Sequence, residues 1–280
     1  MASGRLAHAF LFVGPDGVGK GTLARALVAE LVGDAQTHPD VVVIRRLTDE
    51  KTGKIGSAIT VDQIRELVER LSMTAIGGER KAAIIEEAEC LNPSATNGLL
   101  KTLEEPRGDA TIILCASTVE SVPATIASRC QLIRLHPVPR RDIATALVER
   151  GLGKSDALEI ATASAGRPGL ALRMVQQSDT RAQIEAAQST LNTLKREGVA
   201  GRLRIAAELL PKDEANKSTV AQVLLGTWET MLRDELLQTV AAGGDALPLA
   251  RTLTVLRDTR EILRRNVNPQ LALERVLLSL

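Results

Sequence analysis

A chain of 280 residues with 44% hydrophobic and 25% charged residues has the composition of a globular protein and room for about two or three folded units. Its formal net charge of +1 gives no global field for nucleic acid or an anionic membrane, and 1% aromatic residues, with no Tyr, leave no platform for stacking single-stranded bases. The 3 cysteines, Cys90, Cys115 and Cys130, are widely spaced and include no Cys-x-x-Cys, so they argue for small buried side chains in a reducing cytosol rather than disulfides or zinc.

In chain order, the apolar run Ala9 to Val13 reads as a buried strand and Leu23 to Val32 as a helix. Between them lies Gly14-Pro15-Asp16-Gly17-Val18-Gly19-Lys20-Gly21-Thr22. Strand, glycine-rich turn and helix with a Lys at the turn is the setting of a phosphate-binding loop: backbone N–H groups converge on the anion, the helix N-terminus adds partial positive charge, and Lys20 supplies a point charge. The position after the Lys, where a Ser or Thr hydroxyl would hold magnesium, is Gly21, and the hydroxyl comes one residue later on Thr22. The loop is shaped for phosphate and poorly equipped for magnesium-assisted hydrolysis. The bland alternative is a glycine-rich turn that binds nothing.

His38 to Ile44 predicts a β-branched strand, and Thr60 caps a helix that carries Val61, Ile64, Leu67, Val68 and Leu71 at helical spacing. A Gly77-Gly78 turn leads to a strand at Ala82 to Ile85, and Asn92-Pro93 opens a helix through Leu99, Leu100 and Leu103 that Pro106 ends. Thr111 to Ala116 is another buried strand, a short helix follows Pro123, and Gln131 to Leu135 is the last strand. This alternation predicts an α/β domain over 1–137, a parallel sheet with helices on both faces. After His136-Pro137-Val138-Pro139 the strand pattern stops. Short helices over 141–151, 155–165 and 168–177 predict a small helical lid domain over 138–178. Longer ones predict an all-α domain over 179–280, its last helix carrying Leu273, Val276, Leu277 and Leu280. No apolar run approaches a membrane span and the N-terminus has no signal-peptide core, which points to the cytoplasm.

Two further stretches carry candidate chemistry. In phosphate-loop proteins a second strand ends in acids that place magnesium and the attacking water. Here Ile84-Ile85 leads to Glu86, where Asp is usual, and Glu87, where a catalytic Glu is usual, with Glu89 close behind. Their bland reading is solvated acids at a helix start, which the helix dipole favours. Ser128-Arg129-Cys130 puts an arginine on a loop before the last strand, where a guanidinium could stabilise a transferring phosphoryl group or lie exposed in solvent. The pairs Arg45-Arg46, Arg140-Arg141 and Arg264-Arg265 read as solvated charges, His8, His38 and His136 as structural, and Trp228 as core.

Taken in order, Arg5 to Phe12, the loop Gly14 to Thr22, His38-Pro39-Asp40, Ile84 to Glu89, Asn97 to Pro106 (Asn-Gly-Leu-Leu-Lys-Thr-Leu-Glu-Glu-Pro), Ser128-Arg129-Cys130 and Asn266 to Glu274 resemble the AAA+ clamp-loader family of bacterial DNA polymerase III. The Leu-Leu-Lys-Thr-Leu-Glu-Glu-Pro run and the Ser-Arg-Cys triplet are its specific motifs. Gly21, Glu86, Gly169 at the place of a second-sensor arginine, and a chain that stops at the last collar helix resemble the delta-prime branch of that family rather than its gamma/tau motor branch. The resemblance implies an AAA+ domain, a lid and a collar, in a heteropentamer with gamma/tau and delta subunits that loads the sliding clamp onto primed DNA. It implies ATP or ADP at a degenerate site, little hydrolysis, magnesium in doubt, and no zinc, since Leu31 to Thr37 has no cysteine. The family segment that precedes Arg5 and packs on adenine has no counterpart here. Arg129 would be an arginine finger for a neighbouring subunit, and Ser117 or Thr118 falls near the first sensor. The alternatives are an ATP-hydrolysing motor subunit and, from the Gly-Lys-Gly-Thr ending alone, a small-molecule kinase.

Overall fold

The structure is a computed structural model that describes residues 7–34, 37–48, 55–76, 80–105, 108–211, 214–263 and 267–280. The chain divides into two compact units, Met1–Leu172 and Arg173–Leu280.

In the first unit, β1 (Ala9–Val13), β2 (Val41–Ile44), β3 (Lys81–Ile85), β4 (Ala110–Ala116) and β5 (Gln131–Arg134) form an all-parallel sheet of order β2-β3-β4-β1-β5. Because side chains alternate along a strand, each strand feeds two cores. Leu11, Val13, Ile44, Ile85, Ile112 and Leu114 pack on one face with Ile64 and Leu67 of α2 (Val61–Ser72) and Leu99 and Leu103 of α3 (Pro93–Glu104). Phe10, Phe12, Val41, Ile84, Ile113 and Cys115 pack on the other face with Ala24 and Val28 of α1 (Lys20–Leu31). Burial on both faces explains the unbroken apolar strands.

The helix starts follow the expected chemistry. The Thr60 side chain accepts from the Gln63 N–H, and the Gln63 side chain accepts from the Thr60 N–H, a reciprocal cap for α2. Asn92 accepts from the Ala95 N–H at 2.7 Å, with Pro93 in the first turn of α3. The strand expected from His38 begins only at Val41, because the Asp40 N–H turns back to His38 Nδ1 and the Val41 N–H to the His38 carbonyl. The Gly77-Gly78 turn, Pro106, Arg5 and Arg264-Arg265 lie outside the described residues.

After β4 come the short α4 (Ala124–Ala127) and β5, then α5 (Arg140–Glu149) and α6 (Lys154–Ala163), which pack on each other, and α7 (Pro168–Gln176). The division between the two units falls within α7.

Among its described residues the second unit is helical: α8 (Ser178–Arg196), α9 (Val199–Leu209), α10 (Glu214–Ala241), α11 (Leu247–Leu263) and α12 (Pro269–Leu277). Trp228 sits fully buried in its core with Leu191, Leu225, Leu256 and Leu273, and its indole N–H donates to the Ala187 carbonyl at 2.8 Å. Among the described residues no helix is long and apolar enough to cross a membrane.

Candidate phosphate-loop site

The loop emerges from the carboxyl end of β1, where ligands of open parallel sheets gather. Gly17 (φ 83°) and Gly19 (φ 110°) are left-handed, a backbone that glycine adopts without strain and that turns the chain into α1. Val18 is buried beneath the loop and Thr22 is exposed. Lys20 Nζ donates to the Gly14 carbonyl at 2.7 Å and the Pro15 carbonyl at 3.2 Å, and lies 3.6 Å from the Asp16 carboxylate.

Both acids at the end of β3 are engaged by arginines. Arg25 Nη2, on α1, donates to Glu86 Oε1 at 2.5 Å. Arg46, just after β2, grips Glu87 with two bonds, Nε to Oε2 at 2.8 Å and Nη2 to Oε1 at 2.6 Å. The bond to Glu87 raises the Arg46 guanidinium pKa above its usual value, against the opposing effect of burial. Glu87 itself is left-handed (φ 54°), an uncommon backbone for a side-chain-bearing residue, and a 3-10 turn at Ala88–Cys90 follows it. The expected solvated Arg45-Arg46 pair therefore splits: Arg45 is exposed, whereas Arg46 is 15% exposed and ion-paired.

A divalent cation in a phosphate loop needs a hydroxyl at the residue after the Lys and an acid free to face it. Gly21 offers none, and a Cβ placed on it would lie 2.9 Å from Arg25 Nη1 and 3.3 Å from Glu86 Oε1. The residues present do not fit the ion. Among the described residues no group of three His, Cys, Asp or Glu could hold a metal.

The other expected positions surround this core. Ser117 follows β4, its N–H donating to Glu89 Oε1 at 3.2 Å, and Thr118 is tied to Ser121 by Ser121 Oγ to Thr118 O at 2.8 Å and Ser121 N to Thr118 Oγ1 at 3.2 Å. Gly169, in the first turn of α7, donates its N–H to the Gly17 carbonyl at 2.8 Å, and a Cβ there would sit 3.0 Å from that oxygen. The backbone thus reaches the loop, and a side chain there would need the neighbouring backbone to give by a few tenths of an ångström. Cys115, at the end of β4, feels Lys20, Glu86, Arg25 and Glu89, and burial pushes its thiol up to about 12.

Arg129 lies apart, after α4. Its Nε donates to Glu104 Oε1 at 2.8 Å, Nη2 bonds the same oxygen, and Nη1 donates to the Thr125 carbonyl at 2.8 Å and meets Ser128 Oγ at 3.3 Å. The side chain is 34% exposed. The structure thus gathers Gly14 to Thr22, Glu86 and Glu87 at one end of the sheet and holds Arg129 by its own contacts with Glu104.

Three partners escaped the sequence reading: Arg25, Arg46 and Glu104. The signal for Arg25 was a glycine at the hydroxyl position followed four residues later by an arginine, one helical turn on. Arg46 follows a strand that pairs with β3, and nothing in its surrounding residues distinguishes it from Arg45. Glu104 lies inside the Leu-Leu-Lys-Thr-Leu-Glu-Glu-Pro motif, but only the fold brings it to Arg129.

Comparison with known proteins bears on this arrangement. Residues 1–139 match the family model described as DNA polymerase III, delta subunit. The chain is 33% identical over 218 residues to the DNA polymerase III subunit delta' of Pseudomonas aeruginosa, covering 70% of this chain and 64% of that protein. It is 37% identical over 156 residues to the subunit delta' of Escherichia coli, covering 55% and 45%. The chain belongs to the DNA polymerase III clamp-loader family. The subunit delta' of Haemophilus influenzae is 33% identical over 224 residues, covering 73% of this chain and 64% of that protein. The matched part of the chain spans less than two thirds of each of these three relatives.

Proposed function

We propose that this chain is a delta-prime-like clamp-loader subunit that turns over little or no ATP itself and completes the ATP site of a neighbouring subunit. The observation that carries this reading is that both acids of the site, Glu86 and Glu87, are held by arginines while Gly21 lacks the hydroxyl a metal ion needs. An acid locked in a bidentate pair is not free to orient an attacking water. The loop Gly14 to Thr22 holds the phosphates of ATP or ADP without turning them over, and Ser117 or Thr118 takes the place of a first sensor. Residues 138–178 act as the lid and residues 179–280 as the collar of a ring formed with gamma/tau and delta subunits. Through that ring the chain helps load the sliding clamp onto primed DNA in the cytoplasm.

Arg129 is the residue that reaches the neighbour. Its guanidinium stabilises the charge that develops on a phosphoryl group at a site in another subunit. Arg129→Ala in the reconstituted complex leaves the fold intact and lowers its DNA-stimulated ATPase. An unchanged rate would remove Arg129 from that role.

A further inference from the structure

The Arg25–Glu86 pair lies beside Gly21, the residue that follows the loop lysine. The pair is only partly buried, with side chains 37% and 25% exposed, and its Nη2–Oε1 bond is 2.5 Å long. The second terminal nitrogen, Nη1, faces the first turn of α1, 2.9 Å from where residue 21 would carry a Cβ. Gly21 and Arg25 are therefore complementary. A serine or threonine at residue 21 would need the end of the Arg25 side chain to shift aside.

The chemistry at that point is also complementary. A guanidinium keeps its charge at physiological pH, and its fork of donors matches phosphate oxygens. One donor is spent on Glu86, and that bond removes the repulsion an uncompensated carboxylate would exert on a polyphosphate. The other terminal nitrogen lies beside residue 21, in the first turn of α1, where a helix N-terminus favours an anion. Arg25 and Glu86 meet at the carboxyl end of β3, which pairs with β4 in the middle of the sheet.

We propose that Arg25 is a built-in replacement for the divalent cation, so that this loop takes a nucleoside di- or triphosphate with no need of magnesium. This rests on the reading of Gly14 to Thr22 as a phosphate loop, and it adds a ligand-binding role for Arg25. In Arg25→Leu the freed Glu86 carboxylate faces the phosphates, and magnesium becomes necessary to bridge the two.

The test is a calorimetric titration of the isolated full chain with ADP and with ATP, in EDTA and in excess magnesium, on the native protein, Arg25→Leu and the double variant Arg25→Leu/Gly21→Ser. Thermal melts check that each variant is folded. The native chain is expected to bind with the same affinity in both buffers, within about two-fold. Arg25→Leu is expected to bind about ten-fold or more weakly in EDTA, the loss of one charge-assisted bond to phosphate, and to recover only in part with magnesium, since the freed Glu86 can face the ion but Gly21 still offers no hydroxyl. The double variant, which gains a hydroxyl at residue 21 and loses the neighbouring guanidinium, is expected to be the most magnesium-dependent. Native binding that tightens ten-fold or more with magnesium overturns the role of Arg25 and leaves the phosphate loop standing. No binding in either buffer overturns both. Neither result touches Arg129, which is read in the assembled complex.

Discussion

Glu104 fixes the direction of Arg129, and Glu104→Gln measures how much that matters. The change removes the charge that accepts from Nε and Nη2 but leaves Nη1 on the Thr125 carbonyl and near Ser128 Oγ. With the two side chains 34% and 49% exposed, solvent screening limits the pair to about 0.2–1 kcal/mol. If all of that is lost from the transition state, the rate falls about 1.5- to 5-fold. Arg129→Ala removes the guanidinium itself, a group worth about 10³-fold or more in phosphoryl transfer. The assay is DNA-stimulated ATPase in a reconstituted complex in which only the site facing this chain is competent. The expected order is native, then Glu104→Gln a few-fold lower, then Arg129→Ala lower by orders of magnitude, with melting temperatures nearly unchanged. If Glu104→Gln were as damaging as Arg129→Ala in a folded chain, Glu104 would be acting directly and its positioning role would be refuted.

Other outcomes follow from burial. Trp228→Ala empties the centre of the second unit and removes the indole bond to the Ala187 carbonyl, so it is expected to cost about 3–5 kcal/mol in chemical denaturation of that unit, while Trp228→Phe keeps most of the packing and costs less. Gly169→Ala brings a methyl to 3.0 Å from the Gly17 carbonyl and is expected to destabilise the first unit by about 1–3 kcal/mol; a neutral effect would mean that α7 yields easily at the loop. The thiols give a pH signature. Burial raises Cys115 to about 12 and Cys130 to about 11, from 9.0 in the unfolded chain. Above about pH 9 the unfolded state therefore binds fewer protons than the folded one, so these groups leave stability unchanged below pH 9 and lower it as pH rises through 9 toward 11 and 12. Alkylation of the native protein at pH 7.5 should be slow at both thiols and fast after denaturation; fast native labelling of Cys115 would contradict its burial.

The parallel sheet was legible because its strands are buried on both faces, which writes them as unbroken apolar runs such as Ala9 to Val13 and Thr111 to Ala116. Thr60 and Asn92 announced their helices through a local hydrogen bond that needs only a neighbour three residues on. The loop and the acids were legible for a related reason, each being a short motif at a strand end. Their partners were not. Arg46 reaches Glu87 across 41 residues, Arg25 reaches Glu86 across 61, and Glu104 reaches Arg129 across 25. Each is an ordinary surface residue type until strand order brings it to its acid or base. The sequence showed a glycine where a hydroxyl belongs, and only the fold showed a guanidinium beside that glycine.

The central claim is that this chain does not run its own hydrolysis cycle. The most direct measurement is magnesium-dependent ATP turnover by the isolated chain, against Lys20→Ala as background. The structure's paired acids and its Gly21 predict no turnover above that background. Magnesium-dependent turnover that Lys20→Ala abolishes would contradict the account and make the chain a motor subunit.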